Sequence, residues 1–276
     1  MPPQPEIAAS YWNSNVDCRD RNDTPSLTIS TNEQYTTYYG SGAYDRRYPR
    51  PNQFTLEAIL DTLKETNWKT ASTRQILDFG CGSGRYAIPL DAHCKTIVAY
   101  DPCAEAINLL NRQSQQNVMP TQHLGDVLRI APYDVVVSIF GVLSHISERR
   151  ARLDTLRFLR RCLAADGLLF VSVPNRLRRF YKEQLASVFG RGDFSGRIVY
   201  RRGCVDQTIP YYLYTAASVR SELEECGFSV NSVKAESLFP ERFVTNSDHV
   251  LELEKNVLGK IPPWSGYGLL AIASKR

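Results

Sequence analysis

A short apolar strand runs straight into alternating glycines at Ile76-Leu77-Asp78-Phe79-Gly80-Cys81-Gly82-Ser83-Gly84, and no other stretch limits the fold so tightly. Leaving a strand and entering a helix within a few residues needs backbone angles that side chains resist, and a ligand reaches main chain closely only where no Cβ intervenes. A second apolar run, Thr96-Ile97-Val98-Ala99-Tyr100-Asp101, ends in an acidic residue. It falls about 20 residues on, where a carboxylate that takes ribose hydroxyls is expected. Together the two runs predict a parallel α/β sheet that holds a nucleoside. A dinucleotide fingerprint would place its third glycine at residue 85. That position is Arg85 and the glycine is Gly84, which argues against NAD.

Asp78-x-Gly80-x-Gly82-x-Gly84 followed by Asp101 resembles the class I S-adenosylmethionine-dependent methyltransferases. The resemblance implies S-adenosylmethionine as cofactor, with Asp78, Gly80, Gly82 and Gly84 around its methionine part and Asp101 on its ribose. Cys81 lies in the same loop, close to the cofactor, although packing is the simpler role for its thiol. Asp126, after Gly125, matches an acidic residue that meets the adenine amino group in that family, while an aspartate after glycine is also an ordinary turn. The implied fold is a Rossmann-like α/β sheet of seven mostly parallel strands in the order 3-2-1-4-5-7-6, ending in an antiparallel hairpin.

The rest of the chain can be read onto that plan. Pro102 to Arg112 has apolar residues at helical spacing, Met119 to Leu124 is a weak third strand, and Tyr133 to Phe140 is a β-branched run of the kind buried on both faces. Its end delivers Phe140 and His145 to the crevice where open sheets bind ligands. Ser147 is expected to cap an amphipathic helix to Leu163, with leucines on one side and arginines on the solvated other. Gly167 to Val173 reads as the fifth strand, Thr215 to Gly227 as a helix, and Phe228 to Ser237 and Tyr267 to Ser274 as the last two strands. Two insertions flank this core. Residues 1–51 form an N-terminal extension with an aromatic lid, and about 175–214 an inserted cap, within a methyltransferase domain spanning 52–276.

Methyl transfer from a sulfonium needs alignment and, for a protonated acceptor, a base. His145 is the candidate base, its unperturbed pKa of ~6.5 suiting proton transfer near neutrality. In the lid, Tyr39, Tyr44 and Tyr48 are the tyrosines expected to face inward and bind substrate. Tyr-Asp-x-x-Tyr at Tyr44 to Tyr48, with His145 after the fourth strand, resembles small-molecule amine methyltransferases. The acceptor is thus read as a small molecule methylated at nitrogen or oxygen.

Charge supplies the rival. Between Arg149 and Arg202 fourteen Lys or Arg stand against four Asp or Glu, a basic middle segment concealed by the net charge of +4. In the cap, Arg176, Arg178, Arg179, Lys182, Arg201 and Arg202 could hold an acidic small substrate or a nucleic-acid backbone, and Arg178 and Arg179 are the substrate-binding candidates. His145 to Arg152 also resembles the segment after the fourth strand of the tRNA wobble-uridine methyltransferases, although Ser144 replaces the first of their paired histidines. A methyltransferase-like binding module without turnover is a third reading. Seven scattered cysteines (Cys18, Cys81, Cys94, Cys103, Cys162, Cys204, Cys226) lack zinc-binding spacing, so no metal is expected. No apolar run nears the ~18 residues of a membrane span, and Met1 to Ser10 lacks a signal-peptide core, which predicts a soluble cytoplasmic protein.

Overall fold

The structure is a computed structural model that describes residues 30–65, 70–113, 116–180, 184–185, 197–202 and 205–276. Cys18, Lys182, Cys204 and the side chains of Arg201 and Arg202 lie outside the described residues. Three helices, α1 (Ser30–Gly40), α2 (Ala43–Arg47) and α3 (Gln53–Glu65), precede β1 (Gln75–Phe79). Strands and helices then alternate: α4 (Ala87–Leu90), β2 (Thr96–Tyr100), α5 (Ala104–Asn111), β3 (Val118–Thr121), α6 (Leu124–Ile130), β4 (Tyr133–Ser138), α7 (Arg149–Cys162) and β5 (Leu163–Pro174). An antiparallel pair, β6 (Arg197–Arg202) and β7 (Val205–Tyr212), leads to α8 (Ala216–Glu225) and β8 (Phe228–Ser237). Two helices, α9 (Glu241–Val244) and α10 (Asp248–Val257), come before β9 (Gly268–Lys275).

Seven strands form one sheet in the order β3-β2-β1-β4-β5-β9-β8, with β6 and β7 apart from it. Leaving that separate pair uncounted, this is the expected 3-2-1-4-5-7-6. β1 to β5 pair in parallel and β9 runs antiparallel to both neighbours. Alternation along the strands explains why helices cover both faces. Leu77, Val98 and Val136 point to one side, where Leu153, Leu156 and Leu159 of α7 meet them. Ile76, Ile97, Val135 and Val137 point to the other, against Leu56, Ile59 and Leu63 of α3. Strand order reverses between β1 and β4, and the C-terminal ends there open the crevice.

Several local expectations change. The third strand stops at Thr121, whose hydroxyl accepts the His123 N–H at 3.0 Å and donates to Asp126 at 2.6 Å, so Gly125 and Asp126 lie in the first turn of α6. Ser147 does not cap α7. Glu148 holds the N-cap position without a side-chain bond, and the Ser147 carbonyl accepts from Arg152 at 3.0 Å. Thr215 does cap α8, in a reciprocal box with Ser218. The final strands are not a plain hairpin, since α9 and α10 stand between them, short helices without the long apolar period that sequence patterning detects.

The arginine face of α7 also differs from the expectation. Arg152 is only 2% exposed, paired with Glu222 of α8 at 2.9 Å and stacked 3.7 Å from the Tyr212 ring centroid. Arg149 pairs with Glu225 and Arg157 with Asp154. Among the described residues no helix is long and apolar enough to cross a membrane.

Candidate active site

The glycine loop folds as its sequence demands. Gly80 and Gly82 have φ of 83° and 56°, in the left-handed region that side chains avoid. A Cβ on Gly80 would come within 2.5 Å of a Val142 methyl, so the loop seats directly on the turn that follows β4. On Gly82 it would run into the Tyr39 hydroxyl. The Gly82 N–H donates to Asp101 Oδ2 at 2.9 Å, and the Cys103 N–H donates to Oδ1 at 2.9 Å. Asp101 thus ties the loop to the start of α5. Burial pushes its carboxyl up to about 6, the two N–H bonds opposing the shift. Asp78 lies deeper, and burial together with Asp101 pushes it up to about 7. The structure therefore brings Asp78, Gly80, Cys81, Gly82, Gly84 and Asp101 together. Cys81 is buried and its thiol is pushed well above the ordinary range by burial and both carboxylates, as a packing residue. Asp126 lies in the first turn of α6, paired with Arg129 at 3.0 Å and bonded to Thr121.

α1 and α2 pack against this loop. Tyr39 and Tyr44 are buried with ring centroids 4.6 Å apart, Tyr44 meets Tyr48 at 5.5 Å, and Tyr48 meets Phe140 at 4.7 Å. The Ser83 hydroxyl donates to Asp45 at 2.6 Å, fastening α2 to the loop. Tyr39 and Tyr44 pack with Cys103 and Ala106 at the start of α5, while Tyr48 lines the neighbouring cavity.

That cavity, about 310 Å³, opens beyond the ends of β4 and β5. Phe140, Gly141, His145, Ser172 to Pro174, Tyr211, Tyr267, Glu236, Glu241 and Arg242 are among the residues that line it. Phe140 holds φ of 71°, unusual for a non-glycine residue, and Gly141 follows at 77°. The turn therefore swings sharply past the C-terminal end of β4, the central strand, with the Phe140 ring lining the cavity. His145 ends the short 3-10 turn Val142–His145, with the Tyr35 hydroxyl 2.9 Å from Nε2 and 3.1 Å from Nδ1 and the Tyr211 ring 4.8 Å away.

The two cap arginines named from sequence part company. Arg179 lines the cavity, donates to the Tyr211 hydroxyl at 3.3 Å and stacks 4.2 Å from the Tyr267 ring centroid, and its Nε is buried with no hydrogen-bond partner. Arg178 turns away and donates to the Ser265 carbonyl at 2.8 Å, so it braces the segment before β9 and does not face the cavity.

Three functional candidates went unread. Arg85, one residue past the glycines, is buried with its guanidinium 3.9 Å over the Phe140 ring and 3.5 Å from Glu241. None of its three nitrogens has a hydrogen-bond partner. Glu236, 5% exposed, accepts from Thr55 at 2.9 Å, and burial reinforced by Glu241 pushes its carboxyl up to about 8. Glu241 accepts from Asn52 at 3.2 Å. Arg85 had a signal, being the residue that breaks the dinucleotide spacing. Neither glutamate had one, because they reach the cavity from β8 and α9, elements distant in sequence from the glycine loop.

With this geometry in view, comparison with known proteins is decisive at the level of the family. The family described as a methyltransferase domain matches residues 44–233. The chain belongs to it, and the family is that of the class I S-adenosylmethionine-dependent methyltransferases. A ubiquinone biosynthesis O-methyltransferase of Rickettsia prowazekii is 26% identical over 137 residues, 48% of this chain and 52% of that protein. A probable S-adenosylmethionine-dependent methyltransferase of Mycobacterium tuberculosis is 34% identical over 111 residues, 38% of each chain. The chain spans about half the length, or less, of these curated relatives. Among solved structures, an S-adenosylmethionine-dependent methyltransferase of Clostridium acetobutylicum aligns with a TM-score of 0.58 at 12% identity, covering 88% of this chain and 99% of that one. The magnesium protoporphyrin IX methyltransferase of Synechocystis with bound SAH aligns at 0.57 and 14%, covering 89% and 99%. At such identities these structures share the fold of this methyltransferase.

Proposed function

We propose that this chain transfers a methyl group from S-adenosylmethionine to nitrogen or oxygen of a small-molecule acceptor bound in the cavity beside Phe140 and His145. The observation that carries the reading is that one turn, Phe140 to His145, touches the glycine loop through Val142 and walls the cavity through His145, so donor and acceptor spaces share a partition. The residues around the loop suit the donor. Main chain at Gly82 lacks a Cβ, Asp101 is at hand for ribose hydroxyls, and the Arg85 guanidinium, which faces Glu241 at 3.5 Å yet makes no hydrogen bond, can take a carboxylate. Since the Tyr39 hydroxyl rests over Gly82, donor entry displaces that ring, and α1 acts as the lid. When bound, the donor supplies an activated methyl, leaving the protein to align the acceptor, exclude water and receive a proton.

On the acceptor side, Arg179 with its free Nε suits an acidic group, its plane fixed by Tyr267 and Tyr211. Tyr48 adds a ring face, and His145, the base candidate read from sequence, lines the same cavity. The relative named as a ubiquinone biosynthesis O-methyltransferase favours an oxygen nucleophile. A tRNA acceptor draws less support, because Arg149, Arg152 and Arg157 of the basic helix are spent on glutamate and aspartate partners.

The test is transfer of labelled methyl from S-adenosylmethionine to a panel of phenols, hydroxy acids, amines and bulk tRNA. Transfer to a small molecule supports the reading, and labelling of tRNA alone refutes it. Calorimetry with the donor separates a binding module: failure to bind at millimolar concentration removes the enzymatic reading altogether.

A further inference from the structure

The lining of the cavity carries a group that neither the motif nor the family match assigns. Glu236, near the end of β8, lines the cavity from an irregularity in the ladder, between Ala235 paired with Leu269 and Ser237 paired with Gly268 of β9. A Cβ on Gly268 would meet Glu236 Oε2 at 2.5 Å, so the strand beside it is bare to make room for the carboxyl. Thr55 of α3 donates to Oε1 at 2.9 Å, and the Ser172 hydroxyl of β5 also hydrogen-bonds the carboxyl. Ser172 Oγ in turn accepts the Phe140 N–H at 2.9 Å, which links the carboxyl to the partition between donor and acceptor spaces. A side chain oriented from three rigid elements is placed more accurately than one on a loop. His145, by contrast, sits on a 3-10 turn with the lid's Tyr35 hydroxyl against its ring edge.

We propose that Glu236 is the catalytic residue that takes the acceptor's proton, with His145 positioning the acceptor and the lid; this rests on the methyltransferase reading above. A lone pair of the acceptor oxygen or nitrogen forms the bond to the methyl carbon as the carbon–sulfur bond breaks. That bonding pair leaves with sulfur as a neutral thioether, and the acceptor's proton passes to the Glu236 carboxylate, which becomes a neutral carboxyl. Charge balances without a further reactant.

The surroundings set the pH range. Glu241 of α9 faces Glu236 and disfavours its charge, Arg179 favours it, the Tyr86 hydroxyl is near, and Thr55 and Ser172 hydrogen-bond it. With burial dominant, the carboxyl titrates at about 8. A base must be ionised, so activity rises with pH through that value and levels above it.

The experiment measures kcat/KM against pH for the wild type, Glu236→Gln, Thr55→Val and His145→Asn, using labelled S-adenosylmethionine and whichever panel member the wild type methylates. Glu236→Gln is expected to cut kcat by ~10²–10⁴ and to abolish the limb, with donor affinity by calorimetry unchanged. Thr55→Val removes a bond to the charged form and is expected to move the limb upward. That shift is one a merely structural glutamate would not produce. An E236Q enzyme with the wild-type profile, or a limb abolished by His145→Asn and kept in Glu236→Gln, overturns the inference while methyl transfer itself stands. A wild type that methylates no member of the panel overturns the parent reading and this one together.

Discussion

Replacing Arg152 by methionine tests how the buried ion pair holds the active-site turn. Arg152 Nη2 meets Glu222 Oε1 at 2.9 Å, Nε lies 3.3 Å from both carboxylate oxygens, and Nη1 donates to the carbonyls of Ile146 and Ser147 at 3.2 and 3.0 Å. The Tyr214 hydroxyl donates to Glu222 Oε2 at 3.0 Å. Methionine keeps much of the volume, so the cost is chiefly electrostatic. Leaving Glu222, 4% exposed, as a lone buried carboxylate costs about 3–5 kcal/mol. At about 1.4 kcal/mol per tenfold, the unfolding constant rises some hundred- to several thousand-fold. Adding Glu222→Gln removes the stranded charge yet keeps an acceptor for Tyr214, so the double variant should recover about 2 kcal/mol relative to Arg152→Met alone. Urea denaturation followed by far-ultraviolet circular dichroism measures all three proteins. A cost below about 1 kcal/mol for Arg152→Met, or a double variant no more stable than the single, would show that the pair is hydrated and that its burial carries none of the stability argued here.

Stability should also fall as pH rises. Burial raises Asp78 from 3.8 to about 7, Glu254 from 4.5 to about 7 and Glu236 from 4.5 to about 8, so the folded chain keeps protons that the unfolded chain releases. The thermal midpoint of the ligand-free protein is expected to be higher near about pH 5.5 than near about pH 8.5, with a smaller gap in Glu254→Gln; a midpoint that climbs with pH contradicts the assignment. Asp101→Ala removes the acceptor of the Gly82 and Cys103 N–H groups and the carboxylate offered to ribose, and calorimetry should find S-adenosylmethionine affinity at least about tenfold weaker. Gly84→Ala, at φ of 93° and facing Leu110 and Ile88, should cost about 1–3 kcal/mol in denaturant titration, and a neutral effect would mean the loop relaxes freely.

What the sequence made legible was what neighbours in the chain decide. The strand-glycine-helix turn at residues 76–84, Asp101 at the next strand end and the β-branched run from Tyr133 each follow from local backbone rules, and the sheet order followed from the family they resemble. Patterning failed where partners far apart in the chain set the outcome. Arg152 sits in a row of arginines at helical spacing, and its sequence neighbours predict solvent; only the approach of α8, bringing Glu222, turns that one position inward. Arg178 and Arg179 are adjacent and chemically identical, yet one braces the Ser265 carbonyl and the other faces the cavity, because consecutive residues in a turn point in different directions. Glu236 was hidden for a third reason. In an alternating strand an acidic residue reads as the solvent face. Here the insertion between β8 and β9 carries Glu241 over that face, so the same carboxyl is buried against Thr55 and Ser172 and acquires the proton affinity that makes it a candidate base.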